Sequence, residues 1–196
     1  MTHPTRIGIF GGTFDPIHHA HLAMARAAMI AGSLDTVLFV VASIPPHKQN
    51  DTHASAEDRL AMVEAAVADE SGFEVSRIEL DREGLSYTAD TLRALHMLHP
   101  EADLFMIIGE DSLVDFPKWR EPAAILDLVH LLVLPRLGIA APIHDSLTGH
   151  YDLVPFEESA ISSTGVRDAL ASGELLSEMI PASVLGVIEE RGLYGR

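Results

Sequence analysis

Residues 7–32 read IGIFGGTFDPIHHAHLAMARAAMIAG and contain a short apolar run, a pair of glycines and a long run of helix-forming residues. Ile7 to Phe10 predicts a buried strand, and the pair Gly11–Gly12 predicts a sharp turn directly after it. The Ala, Leu and Met residues that follow favour a helix over His19 to Ile30, and Gly32 ends it. A strand that leads into a helix through a glycine turn is typical of a sheet with helices packed on it.

The same alternation of strands and helices continues along the chain. Its strands are continuous apolar runs, which indicates burial on both faces, as in parallel sheets with helices on either side. The predicted fold is therefore α/β: a single doubly wound (Rossmann-like) domain over residues 1–196, with a mainly parallel sheet flanked by helices. Further strands are predicted at Val37–Val41, Phe73–Ile78, Leu104–Ile108 and Leu131–Leu134, and further helices after Ser55, after Thr88, and at Ala123–Leu128, Ser163–Ala171 and Val184–Arg191.

Two of these helices have predicted N-caps, Ser55 and Thr88. In the helix after Thr88, three leucines at a spacing of three predict an apolar stripe: Leu92, Leu95 and Leu98. In doubly wound sheets, ligands bind beyond the carboxyl ends of the strands. That rule points to four segments: Gly11 to His21, Ser43 to Lys48, Gly109 to Trp119, and the chain from Pro135 onward.

Composition excludes several classes of protein. Lys and Arg number 13 against 29 Asp and Glu, a formal net charge of -16, whereas gripping a nucleic-acid backbone needs spread-out positive charge. The absence of cysteine excludes disulfides, thiolate metal sites and cysteine nucleophiles. The apolar runs, such as Leu131 to Leu134, are too short to span a bilayer, and the polar N-terminus is unlike a secretory signal. We therefore expect no nucleic-acid partner, no membrane partner and a cytoplasmic location.

The glycine pair and the histidines after it predict an anion site. His18 and His21 are three residues apart, so both project from one face of the first helical turn. Unpaired N–H groups and the macrodipole make a helix N-terminus attractive to anions, and two imidazoles there would cradle phosphate oxygens. Asp15-Pro16 is a turn signal that starts the helix. The string is neither a Walker P-loop nor a dinucleotide fingerprint. Two other interpretations stay open: solvent-exposed histidines, or a zinc site on His-x-x-His that lacks an obvious third ligand.

A second motif, Ile161-Ser162-Ser163-Thr164-Gly165-Val166-Arg167, lies more than a hundred residues later. Its hydroxyl residues are explained equally well as ordinary N-caps, with Arg167 as a solvated surface residue. The functional alternative is a second helix N-terminus that holds phosphates. Arginine suits that role because its fork of donors matches phosphate oxygens.

The first string resembles the Gly-x-Phe-Asp-x-x-His-x-Gly-His signature of the adenylyltransferase and cytidylyltransferase superfamily, with Ala20 in place of a glycine. The second resembles the Ile-Ser-Ser-Thr-x-x-Arg motif of the same superfamily. Four central strings resemble bacterial nicotinate-nucleotide adenylyltransferases: Pro45-Pro46-His47-Lys48, Ser86 to Leu92, Ile108 to Ser112, and Phe116-Pro117-Lys118-Trp119. Together these motifs extend over nearly the full chain. Arg136-Leu137-Gly138 departs from the family's Arg-Pro-Gly, and we expect a looser turn there.

The resemblance implies a role for each matched residue. His18, His21 and Arg167 would be catalytic. ATP would be bound by Gly11, Gly12, Thr13, Phe14, His18, His21, Gly109, Asp111, Ile161, Ser162, Ser163, Thr164 and Arg167. The mononucleotide would be bound by Thr13, His47, Lys48, Tyr87, Thr88 and Trp119. Simpler interpretations stay open for some of these: Trp119 as a packing residue, Asp111 and Thr88 as helix caps, and Lys48 as a solvated side chain.

The reaction implied is transfer of AMP from ATP to nicotinate mononucleotide, giving deamido-NAD and pyrophosphate in NAD biosynthesis. Mg2+ would be the cofactor, bound mainly through the ATP phosphates, with no metal site of the protein's own. The alternatives are the same chemistry on nicotinamide mononucleotide or phosphopantetheine, a non-catalytic nucleotide-binding sensor on the same fold, and a metal-dependent hydrolase. Assembly into a homo-oligomer is left open.

Overall fold

The computed structural model describes residues 4–43, 52–135, 147–157, 159–174 and 176–195. Strands and helices alternate along the chain. The strands are β1 (Arg6–Gly12), β2 (Thr36–Val41), β3 (Phe73–Ser76), β4 (Asp103–Gly109), β5 (His130–Leu134) and β6 (Tyr151–Leu153). The helices are α1 (His19–Ala31), α2 (Ala56–Val67), α3 (Thr88–Leu98), α4 (Glu110–Asp115), α5 (Pro122–Leu126), α6 (Ser163–Ser172) and α7 (Ala182–Glu190), with a 3₁₀ turn at Phe116–Lys118. The segment Leu193–Gly195 turns through the left-handed backbone of Tyr194 and is not regular 3₁₀ helix.

The six strands form one sheet in the order β3-β2-β1-β4-β5-β6. The pairs β1–β4, β4–β5 and β5–β6 are parallel, and Ile9 of β1 lies opposite Met106 of β4. This is the doubly wound order, in which the direction of strand addition reverses between β1 and β4. The predicted Rossmann-like α/β fold is confirmed. Both central strands end in predicted ligand-binding segments, because β1 ends at Gly12 and β4 at Gly109.

The apolar runs that predicted the strands are buried. Every residue from Leu104 to Ile108 and from Leu131 to Leu134 is buried, as expected for strands with helices packed on both faces. The shorter β6 is an edge strand, and its Leu153 is 61% exposed. It was not predicted, because three residues with a central Asp152 have no apolar run.

The described chain divides into two compact units. The first contains Met1–Gly11, Met24–Leu38 and Tyr87–Glu158, and the second contains Gly12–Ala23, Phe39–Ser86 and Ser159–Arg196. In the second unit, α2 packs against α7, and Val184 and Ile188 of α7 are fully buried. The assignment of residues 1–196 to a single domain stays a prediction.

Some predicted details were wrong. In α3, Leu92 and Leu95 are buried, but Leu98 is 66% exposed, because it lies at the end of the helix, where nothing among the described residues covers it. Tyr87, and not Thr88, occupies the N-cap position, and Thr88 begins the helix. The segment from Gly109 to Trp119 was expected to be a loop. It instead contains α4 and a 3₁₀ turn, which are too short to leave a helical period in the sequence.

Candidate active site

The loop between β1 and α1 turns at Phe14 rather than at the glycine pair. Gly11 and Gly12 extend β1, and the positive backbone angle is at Phe14, with φ +52°. The prediction that the pair forms the turn was therefore wrong. Position 12 requires glycine because of packing: a Cβ there would lie 2.6 Å from the buried ring of Phe14. A Cβ on the exposed Gly11 would meet no atom within 4 Å.

The two motif histidines lie face to face. α1 begins at His19, so His18 immediately precedes the helix, and its carbonyl accepts a hydrogen bond from the His21 amide at 3.0 Å. The rings of His18 and His21 stack with centroids 3.7 Å apart. The backbone N–H of His18 donates to Nδ1 of the His21 ring at 3.3 Å. A neutral His21 ring therefore carries its proton on Nε2. His18 is only 5% exposed, whereas His21 is half-buried.

This stacked arrangement does not favour the zinc alternative. Stacked rings do not converge two nitrogens on one point, as two zinc ligands must. Across the described ranges, no group of three or more His, Asp or Glu side chains is placed to hold a metal ion. The histidine pair is better suited to a ligand that accepts hydrogen bonds from a ring N–H.

Asp15 is a buried carboxylate that we did not single out from the sequence, where it served only as a turn signal. It is 5% exposed, and its two oxygens accept three hydrogen bonds. The donors are the amide of His53 at 2.7 Å, the amide of Ala54 at 3.2 Å and the hydroxyl of Tyr194 at 2.5 Å. Three donors compensate the cost of burying this charge.

Arg59 is a second group that we missed. It is 1% exposed, and its guanidinium donates to the carbonyl of Thr13 at 2.8 Å, of Ala42 at 2.7 Å and of Ser43 at 3.1 Å. Burial lowers the pKa of Arg59, while the negative charge of Asp15 opposes that shift. A sequence signal existed, because Arg59 shares its face of α2 with the buried Met62, Val63 and Ala66 at spacings of three and four.

The two distant motifs meet in the second unit. Arg167 of α6 donates through Nη1 to the carbonyl of Asp15 at 2.7 Å, and Ser163 Oγ donates to the carbonyl of Pro16 at 2.9 Å. Ser162 caps α6, because its Oγ accepts from the Gly165 amide at 3.1 Å. Of the hydroxyl residues interpreted as ordinary N-caps, Ser162 is therefore the cap, whereas Ser163 and Thr164 lie in the first turn of α6. Arg167 is half-buried rather than a solvated surface residue. Thr164, whose Oγ1 accepts from Arg167 at 3.2 Å, is exposed, and Ile161 is half-buried.

The remaining described site residues belong to the first unit. Gly109 is the N-cap of α4, and a Cβ there would lie 2.5 Å from Oδ1 of Asp111, a first-turn residue rather than the cap. Trp119 is half-buried, with its ring 5.2 Å from that of Phe116. Tyr87 and Thr88 are also half-buried at the start of α3. Each is exposed enough to contact a ligand.

Some predicted positions lie outside the described residues: His47, Lys48 and the segment Arg136-Leu137-Gly138. Ala20, the departure from the superfamily signature, is 7% exposed, so its methyl group packs inside the protein. Among the described helices, none is long and apolar enough to cross a membrane.

Comparison with known proteins identifies the family. The cytidylyltransferase-like family model matches residues 9–169. A probable nicotinate-nucleotide adenylyltransferase of Geobacillus thermodenitrificans is 41% identical over 192 residues, 97% of this chain and 86% of that protein. One of Shouchella clausii is 43% identical over 190 residues, 97% of each chain. The chain belongs to the nicotinate-nucleotide adenylyltransferases of the cytidylyltransferase-like family.

A solved structure supports the fold independently of close sequence identity. The Plasmodium falciparum nicotinic acid mononucleotide adenylyltransferase complexed with NaAD superposes with a TM-score of 0.80 at 20% identity, over 97% of each chain. The same protein complexed with APC gives a TM-score of 0.78. The chain therefore has the fold of that solved structure. Within it, the two sequence motifs are joined by the hydrogen bonds of Arg167 and Ser163 to the carbonyls of Asp15 and Pro16.

Proposed function

We propose that the protein transfers AMP from ATP to nicotinate mononucleotide, giving deamido-NAD and pyrophosphate in NAD biosynthesis. One observation carries the proposal: in a chain of this family, Arg167 and Ser163 bond directly to the loop that presents His18 and His21. The donors of both motifs thus lie around one short segment of backbone. That is the arrangement that a triphosphate with several anionic oxygens needs.

The proposed reaction requires the protein mainly to position the two substrates. A phosphate oxygen of the acceptor attacks the α-phosphorus of ATP, a new P–O bond forms, and the bond to the leaving pyrophosphate breaks. The attacking oxygen is already anionic at neutral pH, so no general base is needed. Catalysis then depends on alignment and on stabilising the charge that grows on the α-phosphoryl oxygens and on pyrophosphate.

The ATP assignments follow from the hydrogen-bond donors of the two motifs. We assign His18 and His21 to the α- and β-phosphates, with the Nε2–H of the more exposed His21 as a donor. Arg167 and the N-terminus of α6, Ser162 to Thr164, would hold the β- and γ-phosphates. The backbone from Gly11 to Phe14 would border the nucleotide, as would Ile161. Gly109 and Asp111 are proposed to meet the adenosine ribose, a role that rests on the family resemblance.

The mononucleotide assignments rest on the family resemblance and on the partial exposure of the side chains that the structure describes. Trp119 presents a half-buried ring that would stack on the flat pyridine ring. Tyr87 and Thr88, at the start of α3, are proposed to border the same ring, and Thr13 to contact the acceptor. His47 and Lys48 are proposed to lie near the joined phosphates.

We further propose Mg2+ as the cofactor. The donor set fits a metal carried by the nucleotide, because the buried carboxylate of the loop, Asp15, is occupied by three hydrogen bonds. When bound to the ATP phosphates, the metal neutralises part of their charge. A cytoplasmic location and assembly into a homo-oligomer also stay predictions.

The test is an acceptor comparison. Pyrophosphate release is measured from ATP and Mg2+ with nicotinate mononucleotide, nicotinamide mononucleotide or phosphopantetheine as acceptor. We expect the highest kcat/KM with the nicotinate form, and dinucleotide as the second product. A preference for the amide or for phosphopantetheine would support AMP transfer but would contradict nicotinate mononucleotide as the acceptor. ATP binding without pyrophosphate release would favour a nucleotide sensor and contradict the proposal.

A further inference from the structure

A polar network around the buried Asp15 and Arg59 connects the half-buried Tyr194 to the histidine-bearing loop. The hydroxyl of Tyr194 donates to Oδ1 of Asp15, although the two residues are 179 positions apart. Arg59, near the same carboxylate, donates to the carbonyl of Thr13. These bonds all lie within the second compact unit. No step of the proposed reaction uses Tyr194, Asp15 or Arg59 directly.

The conformation of Tyr194 indicates that its contact is specific. Its backbone has φ +56°, a region that residues other than glycine occupy only when their surroundings hold them there. Burial and the hydrogen bond to Asp15 raise the pKa of Tyr194 above its ordinary value, so the phenol keeps its proton and donates throughout the neutral range. The side chain also reaches Met62, whose Sδ lies 3.9 Å from the hydroxyl.

We infer that Tyr194 is a positioning residue, which acts through the Asp15 carboxylate to set the place of His18 and His21. The inference rests on the proposed function, because it assumes that these histidines act on the phosphates. Asp15 is three residues before His18, and its backbone carbonyl is the acceptor for Arg167. One residue, Asp15, therefore connects Tyr194 through its carboxylate, and Arg167 through its backbone carbonyl, to the histidine-bearing loop.

The expected consequence is kinetic. If Asp15 loses its third donor, the loop relaxes, and the histidines and Arg167 lose their alignment with the reacting phosphates. Misplacement of catalytic groups by a fraction of an ångström to 1 Å lowers turnover by about ten- to a hundredfold. Because alignment matters most in the transition state, kcat should fall while the KM for ATP stays nearly constant.

The first variant is Tyr194→Phe, which removes the hydroxyl and keeps the ring. Tyr151→Phe is the matched control, since it makes the same chemical change in the edge strand β6. We expect Tyr194→Phe to lower kcat by about tenfold or more, with a KM for ATP within about twofold of wild type. Tyr151→Phe should leave both constants within about twofold. A Tyr194→Phe enzyme with wild-type kcat would overturn the inference.

A double-mutant cycle separates positioning from general destabilisation. If part of the effect passes through His18, Tyr194→Phe should lower kcat by a clearly smaller factor in a His18→Ala background than in the wild type, because only His21 and Arg167 are left to align. A merely structural role would lower kcat by the same factor in both backgrounds, and that outcome would overturn the inference. A wild-type enzyme that transfers no AMP would instead refute the proposed function and, with it, this role.

Histidine ring NMR gives a readout that does not depend on turnover. Because the rings of His18 and His21 stack at 3.7 Å, their proton shifts respond to small movements of either ring. We expect Tyr194→Phe to shift both ring signals and Tyr151→Phe to leave them in place. Unchanged His18 and His21 signals in folded Tyr194→Phe would contradict the positioning role. This test can be used even if the kcat of the His18→Ala variant is too low to measure.

Discussion

At the scale of single residues, His18 and His21 have different environments and therefore different capacities. The nearly complete burial of His18 holds its ring in one orientation, and its stacking partner His21 keeps a donor at Nε2. A rigid donor that is aligned before the reaction stabilises developing charge without reorganisation. The pair therefore suits a transition-state role better than a role in initial binding.

The histidine prediction follows from that role. His18→Ala and His21→Ala are each expected to lower kcat by about a hundred- to a thousandfold, the usual cost of losing a transition-state donor. The KM for ATP should change much less, and the fold should stay intact. Steady-state kinetics with circular dichroism would check this, with His19→Ala as the control at a neighbouring histidine. Near-normal turnover by either variant would refute the phosphate assignment.

Trp119 makes a separate prediction for the acceptor. Its ring is half-buried beside Phe116, which leaves a face for stacking on a pyridine ring. Trp119→Ala is expected to raise the KM for nicotinate mononucleotide by about tenfold, since lost stacking costs on the order of 1 kcal/mol. The KM for ATP should stay near its wild-type value. If the KM for ATP moved instead, the assignment of Trp119 to the acceptor would be wrong.

Sequence reasoning succeeded for residues whose chemistry is local and failed for those whose role depends on distant partners. The spacing of the two histidines and the hydroxyl residue before α6 could be recognised locally, whereas the role expected for Arg167 came from its resemblance to the superfamily motif. Asp15 looked like a turn residue because its three donors come from positions 53, 54 and 194, and no local pattern connects those positions. Tyr194 had no sequence signal at all.

At the scale of elements, the start of α2 is stabilised from two sides. Ser55 caps the helix by accepting from the amide of Asp58 at 3.1 Å, and its hydroxyl donates to the carboxylate of Asp58 at 2.6 Å. Arg191, directly after α7, donates to the same carboxylate at 2.9 Å. These hydrogen bonds, that to Ser55 foremost, hold the pKa of Asp58 below its usual range.

A pH-dependent stability prediction follows for Asp58. A depressed pKa in the folded state means that the carboxylate contributes stability above the unfolded value of 3.8 and loses it as pH falls through the folded pKa. Asp58→Asn is expected to lower the free energy of unfolding by about 1 kcal/mol at pH 7. Urea denaturation from pH 7 to pH 3 should find this deficit shrinking in acid. A deficit that is constant across that range would contradict the charge-based account.

Among elements, long apolar runs were predictable and short or edge elements were not. The strands β2, β4 and β5 have continuous apolar residues because both of their faces are buried. By contrast, α4 has six residues and β6 has three, which is too few for either period to stand out. Such short elements depend on neighbours in space that the sequence does not reveal.

At the scale of the whole molecule, the negative net charge of the protein must be reconciled with the binding of negatively charged substrates. A chain with net charge -16 repels anionic nucleotides at long range. The proposed site offsets this with a few placed donors: the Arg167 guanidinium, the imidazole N–H groups and the start of α6. Screening by salt weakens the long-range repulsion more than these short contacts. The proposed site would thus supply positive potential locally in a chain that is acidic overall.

The proposed function requires that the histidine-bearing loop and α6 together bind the triphosphate of ATP. The most direct measurement is a crystal structure of the protein with Mg2+ and a non-hydrolysable ATP analogue. The account predicts phosphate oxygens within hydrogen-bond distance of His21 Nε2, the Arg167 guanidinium and the amides at the start of α6. A nucleotide bound elsewhere, with His18 and His21 away from every phosphate, would contradict it.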